Sequence, residues 1–363
     1  MKLRINSTLL YATLGLLLIR VVALYNAGAS MNTLGKVGSD ATVVLQQLKW
    51  MVAGIVFMTI ATQLPKDIWK KIARPGFYFC LALLVAVLAF GTVINGAQRW
   101  IFGFQPSELA KIFLILILAL RLSEFKNSLH HFGTAVKAVL LPMLPLLYLI
   151  FKQPNVSMMM LYLIICLGLI FLAGVPLRFI LGTFIAAVPI VGYFTFASYR
   201  ADRILNFING GGSGTGYQQS NAIIGIGNGG LVGSDLGISR LGYVPEATTD
   251  TIFASIGEEF GFIGLSILIA IFTILIIQGF KIANQQDDLF YSLVAAGITI
   301  SLAATFLIHT LVCVGLFPTT GQPLPLISHG GTNLVITLSA IGVLLGISKK
   351  KQITAQEIRA RIV

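Results

Sequence analysis

Residues 253–280 read FASIGEEFGFIGLSILIAIFTILIIQGF, and this stretch decides the fold. No charge occurs between Glu259 and Lys281, and roughly 20 consecutive apolar residues suffice for a helix to cross a bilayer. Comparable runs lie on either side, at 7–28, 43–63, 75–94, 106–122, 135–151, 156–174, 178–197, 289–315 and 331–348. Together they predict about ten transmembrane helices. Composition agrees: of 363 residues, 56% are hydrophobic and 10% charged, and the mean hydropathy is +0.89. A soluble domain carries about 25% charged residues, so that class is excluded. The expectation is an all-α, polytopic integral membrane protein, one domain over 1–363. No room is left for a soluble catalytic domain of about 100 residues, so any chemistry must sit in or beside the membrane.

The net charge of +12 would suggest nucleic acid in a soluble protein. Here it reads as topology, and no nucleic-acid partner is expected. With the N-terminus inside, sixteen Lys and Arg residues fall in inner segments, among them Lys66, Lys70, Lys71, Arg74, Lys281 and the tail 349–361. Six fall outside: Lys36, Arg99, Lys152, Arg200, Arg203 and Arg240; Arg20, Lys49 and Lys111 lie within spans. Because cytoplasmic loops carry the basic excess, both termini are expected in the cytoplasm. The basic tail suits a stop-transfer anchor that touches anionic lipid. The first span is long for a signal peptide and is expected to stay as an anchor. Cys80, Cys166 and Cys313 lie singly in apolar runs, as buried hydrophobes do. No internal repeat is evident, which weighs against an inverted-repeat transporter.

One connection is long. The outer loop 198–252, between the seventh and eighth helices, is rich in glycine yet carries Ile204, Leu205, Phe207, Ile223, Ile224, Ile226, Leu231, Val232 and Leu236. Long loops in compact proteins are uncommon unless functional or disordered, and this one is too apolar for disorder. It is expected to fold down over the outer face. Within it, 225–230 matches G-x-G-x-x-G, but the dinucleotide motif needs a strand and a βαβ unit, so no nucleotide site is expected.

Ionisable groups at membrane depth are expensive and functional by default. Five polar clusters lie at the outer ends of spans. The first joins Arg99 to Gln105, Pro106, Ser107, Glu108 and Lys111; Pro106 suits the first turn of a helix, Ser107 or Gln105 could cap it, and Glu108 and Lys111 share a face at i,i+3. The second is Lys152 to Asn155. The third holds Arg200 and Arg203, which either snorkel to headgroups or grip phosphate. The fourth runs from Tyr243 through Glu246 to Asp250 and on to Glu258 and Glu259. The fifth spans Gly321, Gln322, Ser328 and His329. A shared outer cavity is the economical arrangement. Asp250 stands where a span begins, as an N-cap or as a general base whose pKa desolvation raises. Glu258 suits a buried role, and His309 and His329 lack partners at zinc-ligand spacing.

At these clusters the chain resembles the shape, elongation, division and sporulation (SEDS) family of polytopic membrane proteins. The resemblance rests on residues 24–30, 95–100, 105–111, 199–203, 216–218, Tyr243 to Glu246 with Thr249 and Asp250, 257–259, and 324–331. Their order runs nearly end to end. It implies ten spans and a peptidoglycan glycosyltransferase that polymerises lipid II on the outer face, releasing undecaprenyl pyrophosphate. It also implies a class B penicillin-binding protein transpeptidase as partner, within a division or elongation complex. The segments look closer to the division branch than to the elongation branch, whose usual Gly-Thr-Gln insertion is absent. The chain departs from the family pattern at four places: Asn155 stands for Asp, Thr248 and Thr251 stand around Asp250 where His and Phe are usual, a Gln-Lys pair is missing after Arg240, and His329 stands for Tyr.

The implied reaction inverts an α-linked donor to a β-1,4 product and needs one base, for which Asp250 is the candidate. The leaving pyrophosphate needs positive charge from Arg99, Arg200, Arg203, Lys111 or a divalent cation such as Mg²⁺ or Mn²⁺. Gln105, Ser107, Glu108, Glu246, Gln322 and Ser328 complete the candidate substrate-binding set; neither Glu108 nor Glu246 is required as an acid. Two rivals share these residues: a flippase for the lipid-linked precursor, which needs polar groups at mid-depth along several helices, and a non-catalytic scaffold for division partners.

Overall fold

The computed structural model describes residues 3–33, 40–94, 97–176, 178–179, 182, 215–234 and 249–351. Ten α-helices are found among these residues. They are α1 (Ser7–Thr33), α2 (Asp40–Gln63), α3 (Lys66–Phe90), α4 (Pro106–Glu124), α5 (Phe132–Lys152), α6 (Val156–Leu172), α7 (Thr215–Gly229), α8 (Ile252–Asn284), α9 (Leu289–Cys313) and α10 (Thr332–Ile347). Six of them (α1, α2, α3, α5, α8 and α9) are long and apolar enough to cross a bilayer; α6 and α10 are shorter apolar helices. The expected span at 178–197 falls almost wholly outside the described residues.

Helix α9 is the hub. Its apolar stretch is 78% buried, against 44% or less in the other five long helices, and it packs against α8, α4, α6 and α10. Small residues let the backbones close up. Gly342 and Gly346 of α10 lie against Met58, Ala61 and Thr62 of α2, where a Cβ on Gly342 would sit 2.3 Å from the Met58 carbonyl. Such small-xxx-small seams are how helices pack tightly in lipid. Outward faces carry Leu18, Val52, Phe57, Tyr78, Leu141, Ile263 and Ile274, all exposed. That much apolar exposure would be a liability in water and is what lipid requires. Pro142 and Pro145 lie inside α5, as membrane helices tolerate.

The third span differs from expectation. Its helix begins at Lys66 and stops at Phe90, and the β-branched Thr92–Ile94 (β2) turns back antiparallel on Ala97–Trp100 (β3). Gly91 permits this, because a Cβ there would lie 2.4 Å from the Val87 carbonyl. A second strand pair joins Leu3–Arg4 (β1) to Lys350–Lys351 (β4), so the two ends of the described chain meet on one side. Asn6 there bonds Gln278, late on α8. The bundle therefore has two distinct ends. One gathers β1, β4, Lys66–Arg74, Glu124 and the 285–288 turn; the other gathers the β2–β3 hairpin, the 153–155 turn, α7, the start of α8 and the 314–331 segment. Described residues of the outer connection 198–252 include α7, so that loop is in part helical.

Candidate active site

Thr249 and Asp250 form the turn that feeds α8. The cap position falls to Thr251, whose carbonyl accepts from Ala254 N–H at 2.9 Å and whose side chain makes no capping bond. Asp250 precedes it and lines a small open cleft. The opposite walls are Gln218, Gln219 and Ala222 of α7, Val312 of α9, and Thr319 to Gly321. Gly321, at φ +64, comes so near that a Cβ on it would lie 3.4 Å from Asp250 Oδ2, so its lack of a side chain leaves room beside the carboxylate.

Hydrogen bonds brace this cleft from behind. Ser328 Oγ donates to the Thr249 carbonyl and accepts from Leu324 N–H, both at 2.7 Å. Gln219 Nε2 donates to the Val312 and Phe317 carbonyls at 3.0 and 2.8 Å, fastening α7 to the end of α9. Ser157 at the start of α6 donates to the Thr320 carbonyl, and His309 Nδ1 donates to the Gln322 carbonyl at 2.8 Å. Ser328 thus spends its one hydroxyl proton internally, and Gln322 is buried and engaged through its main chain. These two candidate substrate contacts hold the walls in place.

The first two clusters meet each other. Arg99 of β3 donates to the Gln153 carbonyl at 3.2 Å and to the Pro154 carbonyl, while Gln153 Nε2 donates to the Leu84 carbonyl. Asn155 accepts from Met158 N–H as the N-cap of α6, a role Asn fills as well as Asp; the family departure there keeps the cap. Pro106 takes the first position of α4, as its missing N–H suits, but neither Gln105 nor Ser107 caps with its side chain: Gln105 occupies the cap position without a capping bond, and Ser107 lies inside the first turn. The Ser107 carbonyl accepts from Tyr162 OH at 2.6 Å. Glu108 and Lys111 form the expected pair, Nζ to Oε2 at 2.8 Å, with side chains only 4% and 8% exposed. Arg99, Gln105, Ser107, Glu108 and Lys111 do not line the Asp250 cleft. Arg200, Arg203 and Glu246 lie outside the described residues.

The glycine stretch serves backbone against backbone. Helix α8 breaks at Gly261, at φ +63 and ψ −163, and the break frees main-chain groups at membrane depth. Phe262 and Ile263 N–H donate to the Gly230 and Leu231 carbonyls at 2.9 and 3.1 Å, and Ser234 N–H donates to the Glu258 carbonyl at 2.9 Å. Irregular backbone is tolerated in a membrane only when protein satisfies it in this way. Residues 225–229 are the last turn of α7, so the G-x-G-x-x-G match is a helix end.

Sequence reasoning passed over Gln219 and Arg20. The first carries no signal beyond its place in the loop, whereas an arginine inside an apolar span is a signal in itself. Among the described residues, no three His, Cys, Asp or Glu side chains gather as a metal would need, and the three cysteines are free and buried.

A helix bundle with an apolar exterior and a polar cleft at one end defines a multi-pass membrane protein with a site at the mouth of its helices. The chain belongs to the FtsW, RodA and SpoVE family: the family model described as "Cell cycle protein" matches residues 7–353. It is 35% identical over 350 residues to a probable peptidoglycan glycosyltransferase FtsW of Trichlorobacter lovleyi, covering 92% of each chain. It is 30% identical to the peptidoglycan glycosyltransferase MrdB of Escherichia coli, covering 98% of this chain and 97% of that one. In structure it resembles a chain of a peptidoglycan synthase complex described as coordinating polymerization and crosslinking, with a TM-score of 0.81, 25% identity, and 95% and 97% coverage. It also resembles the rod shape determining protein RodA of Thermus thermophilus, with a TM-score of 0.70, 25% identity, and 95% and 96% coverage.

Proposed function

We propose that this protein, a peptidoglycan glycosyltransferase, polymerises lipid II at the Asp250 cleft on the outer face of the cytoplasmic membrane during division. The cleft carries the reading. It opens at the end of the bundle opposite the basic residues Lys66, Lys70, Lys71, Arg74 and Lys281, and the excess of Lys and Arg marks the cytoplasmic side.

Asp250 takes the proton of the acceptor's GlcNAc 4-hydroxyl as that oxygen attacks the anomeric carbon of the chain's terminal MurNAc. The new C–O bond forms with inversion as the bond to undecaprenyl pyrophosphate breaks. The leaving group departs as an anion, so the reaction asks for fixed positive charge rather than a second carboxylic acid, unlike glycosidase pairs. Arg200 and Arg203 are proposed to supply that charge. A class B penicillin-binding protein is the proposed partner that cross-links the product.

Against the flippase reading stands the handling of mid-depth hydroxyls on α9. Thr299 and Thr305 both donate to carbonyls of their own helix, at 2.7 and 2.8 Å, and so offer no hydroxyl proton to a passing headgroup.

The test is polymerisation of purified lipid II in detergent, where no membrane remains to flip across. Asp250→Asn keeps size and removes the base, so glycan synthesis should fall by about 10²–10⁴-fold with the protein folded and inserted. A folded Asp250→Asn protein that polymerises at the parent rate would sink the assignment.

A further inference from the structure

Arg20 lies in the middle of α1 and is only 1% exposed. Among the described residues its hydrogen-bond partners are main-chain carbonyls and one side-chain amide. One guanidinium nitrogen donates to the Leu326 and Ser328 carbonyls, and the other to the Gly330 carbonyl and Gln47 Oε1. Gln47, on α2, is itself buried and also accepts from Gly330 N–H. Two helices from the start of the chain thus grip one short segment near its end.

That segment is strained. Leu326 adopts φ +65, a left-handed conformation unfavourable for a branched side chain, which persists only when its surroundings over-determine it. The Arg20 contacts to Leu326 itself and to Ser328 and Gly330 beyond it supply that restraint. Two residues on, the Ser328 hydroxyl bonds the carbonyl of Thr249 at 2.7 Å, and Thr249 is joined by one peptide bond to Asp250.

We infer that Arg20 is a positioning residue for the Asp250 carboxylate, acting through the strained Leu326–Ser328 turn and the Ser328–Thr249 hydrogen bond. The inference rests on Asp250 as the base. A planar fork of donors is required, because a single ammonium cannot reach carbonyls at three successive alternate residues with fixed geometry. With the clamp removed the turn relaxes, Ser328 swings from Thr249, and the carboxylate loses its aim at the acceptor hydroxyl. Substrate binding is left largely alone, since Arg20 does not line the Asp250 cleft.

The experiment compares Arg20→Met, Arg20→Lys, Ser328→Ala and the Arg20→Met/Ser328→Ala double variant with the parent, as purified full-length proteins polymerising lipid II in detergent. A displacement near 1 Å can cost about 10²-fold in rate. Arg20→Met should therefore lose about 10–100-fold in kcat with KM for lipid II nearly unchanged, and Arg20→Lys should recover part of the loss. Ser328→Ala should lower kcat in the same way, and in the double variant the two losses should not multiply, because both cut one chain of contacts. Ser328→Ala keeps the main-chain carbonyl that Arg20 grips, so it decides the matter even if Arg20→Met does not fold. Parent kcat in Ser328→Ala, or fully multiplicative losses in the double variant, would overturn the inference. Asp250→Asn is assayed alongside: if it stays active the base assignment itself fails, whereas an inactive Asp250→Asn beside a fully active Ser328→Ala removes only the positioning role.

Discussion

The two ends of the bundle hold their charges in opposite ways. At the end away from the cleft, Arg74 meets Glu124 at 2.6 Å with side chains 55% and 36% exposed, and Lys70 meets Asp288 in a similarly open setting. These are ion pairs in contact with solvent or headgroups, screened and adjustable. At the cleft end, Glu108 and Lys111 are sealed in the protein, and Arg99 and Arg20 both donate to main-chain carbonyls. Carbonyls have fixed places in the fold, so a cation held by them is aimed as well as solvated. A site that must stabilise developing charge gains from such preorganisation; an anchoring surface has no use for it.

The comparison breaks first, and with the largest stability effect, at Glu108 and Lys111. Removing one partner strands a charge in a low-dielectric interior, at a cost of about 3–5 kcal/mol. Glu108→Ala and Lys111→Ala should each show that loss in thermal or denaturant unfolding, and the double variant should lose less than their sum. The same changes at Arg74 and Glu124 should cost under about 1 kcal/mol. Equal losses at the two ends, or additivity at Glu108 and Lys111, would erase the distinction.

The next effect concerns backbone rather than charge. Gly233 has φ +101, and a Cβ there would lie 2.1 Å from the Glu259 carbonyl. Gly233→Ala should destabilise by about 1–3 kcal/mol, because it pushes the loop off the break in α8. Gly227, inside α7 with open space where its Cβ would be, is the control. Gly227→Ala should be neutral or stabilise by up to about 1 kcal/mol. If Gly233→Ala melts with the parent, the loop is not what seals the break.

Local features were legible in the sequence. Apolar length placed most helices within a few residues, Pro106 marked the start of α4, and the three-residue spacing of Glu108 and Lys111 announced their pairing. The β2–β3 hairpin was hidden because Thr92-Val93-Ile94 is as apolar as the helix before it, and only its pairing with Ala97–Trp100 shows that the chain has turned. Helix α7 was hidden by its glycines, which weaken helix propensity but let it lie against α8. The brace behind Asp250 was invisible for a plainer reason. Arg20 and Ser328 are 308 positions apart, and no local pattern carries a contact of that separation. For the same reason the bracing role of Ser328 could not be read locally: its neighbours in sequence say that it is polar, while its neighbour in space, Thr249, says what the hydroxyl holds.

The smallest expected effect lies at Asp288, between α8 and α9. Burial alone would raise its carboxyl, but hydrogen bonds from Lys70 and from Phe290 N–H, with the charge of Lys70, hold it below the usual range. A carboxyl whose folded pKa is depressed stabilises the fold above its unfolded value near ~3.9, and that contribution is lost as pH falls through the folded value. Asp288 also caps α9, accepting from Phe290 N–H at 2.9 Å, and Asn is as good a cap. Asp288→Asn therefore removes the charge and keeps the cap. At neutral pH it should cost under about 1 kcal/mol, given that the Asp288 side chain is 42% exposed. The gap between parent and variant should narrow in high salt and close as the pH drops below about 4. The absence of any gap between parent and variant at neutral pH and low salt would show that the carboxylate acts there only as a cap, and that this end of the bundle owes nothing to this ion pair.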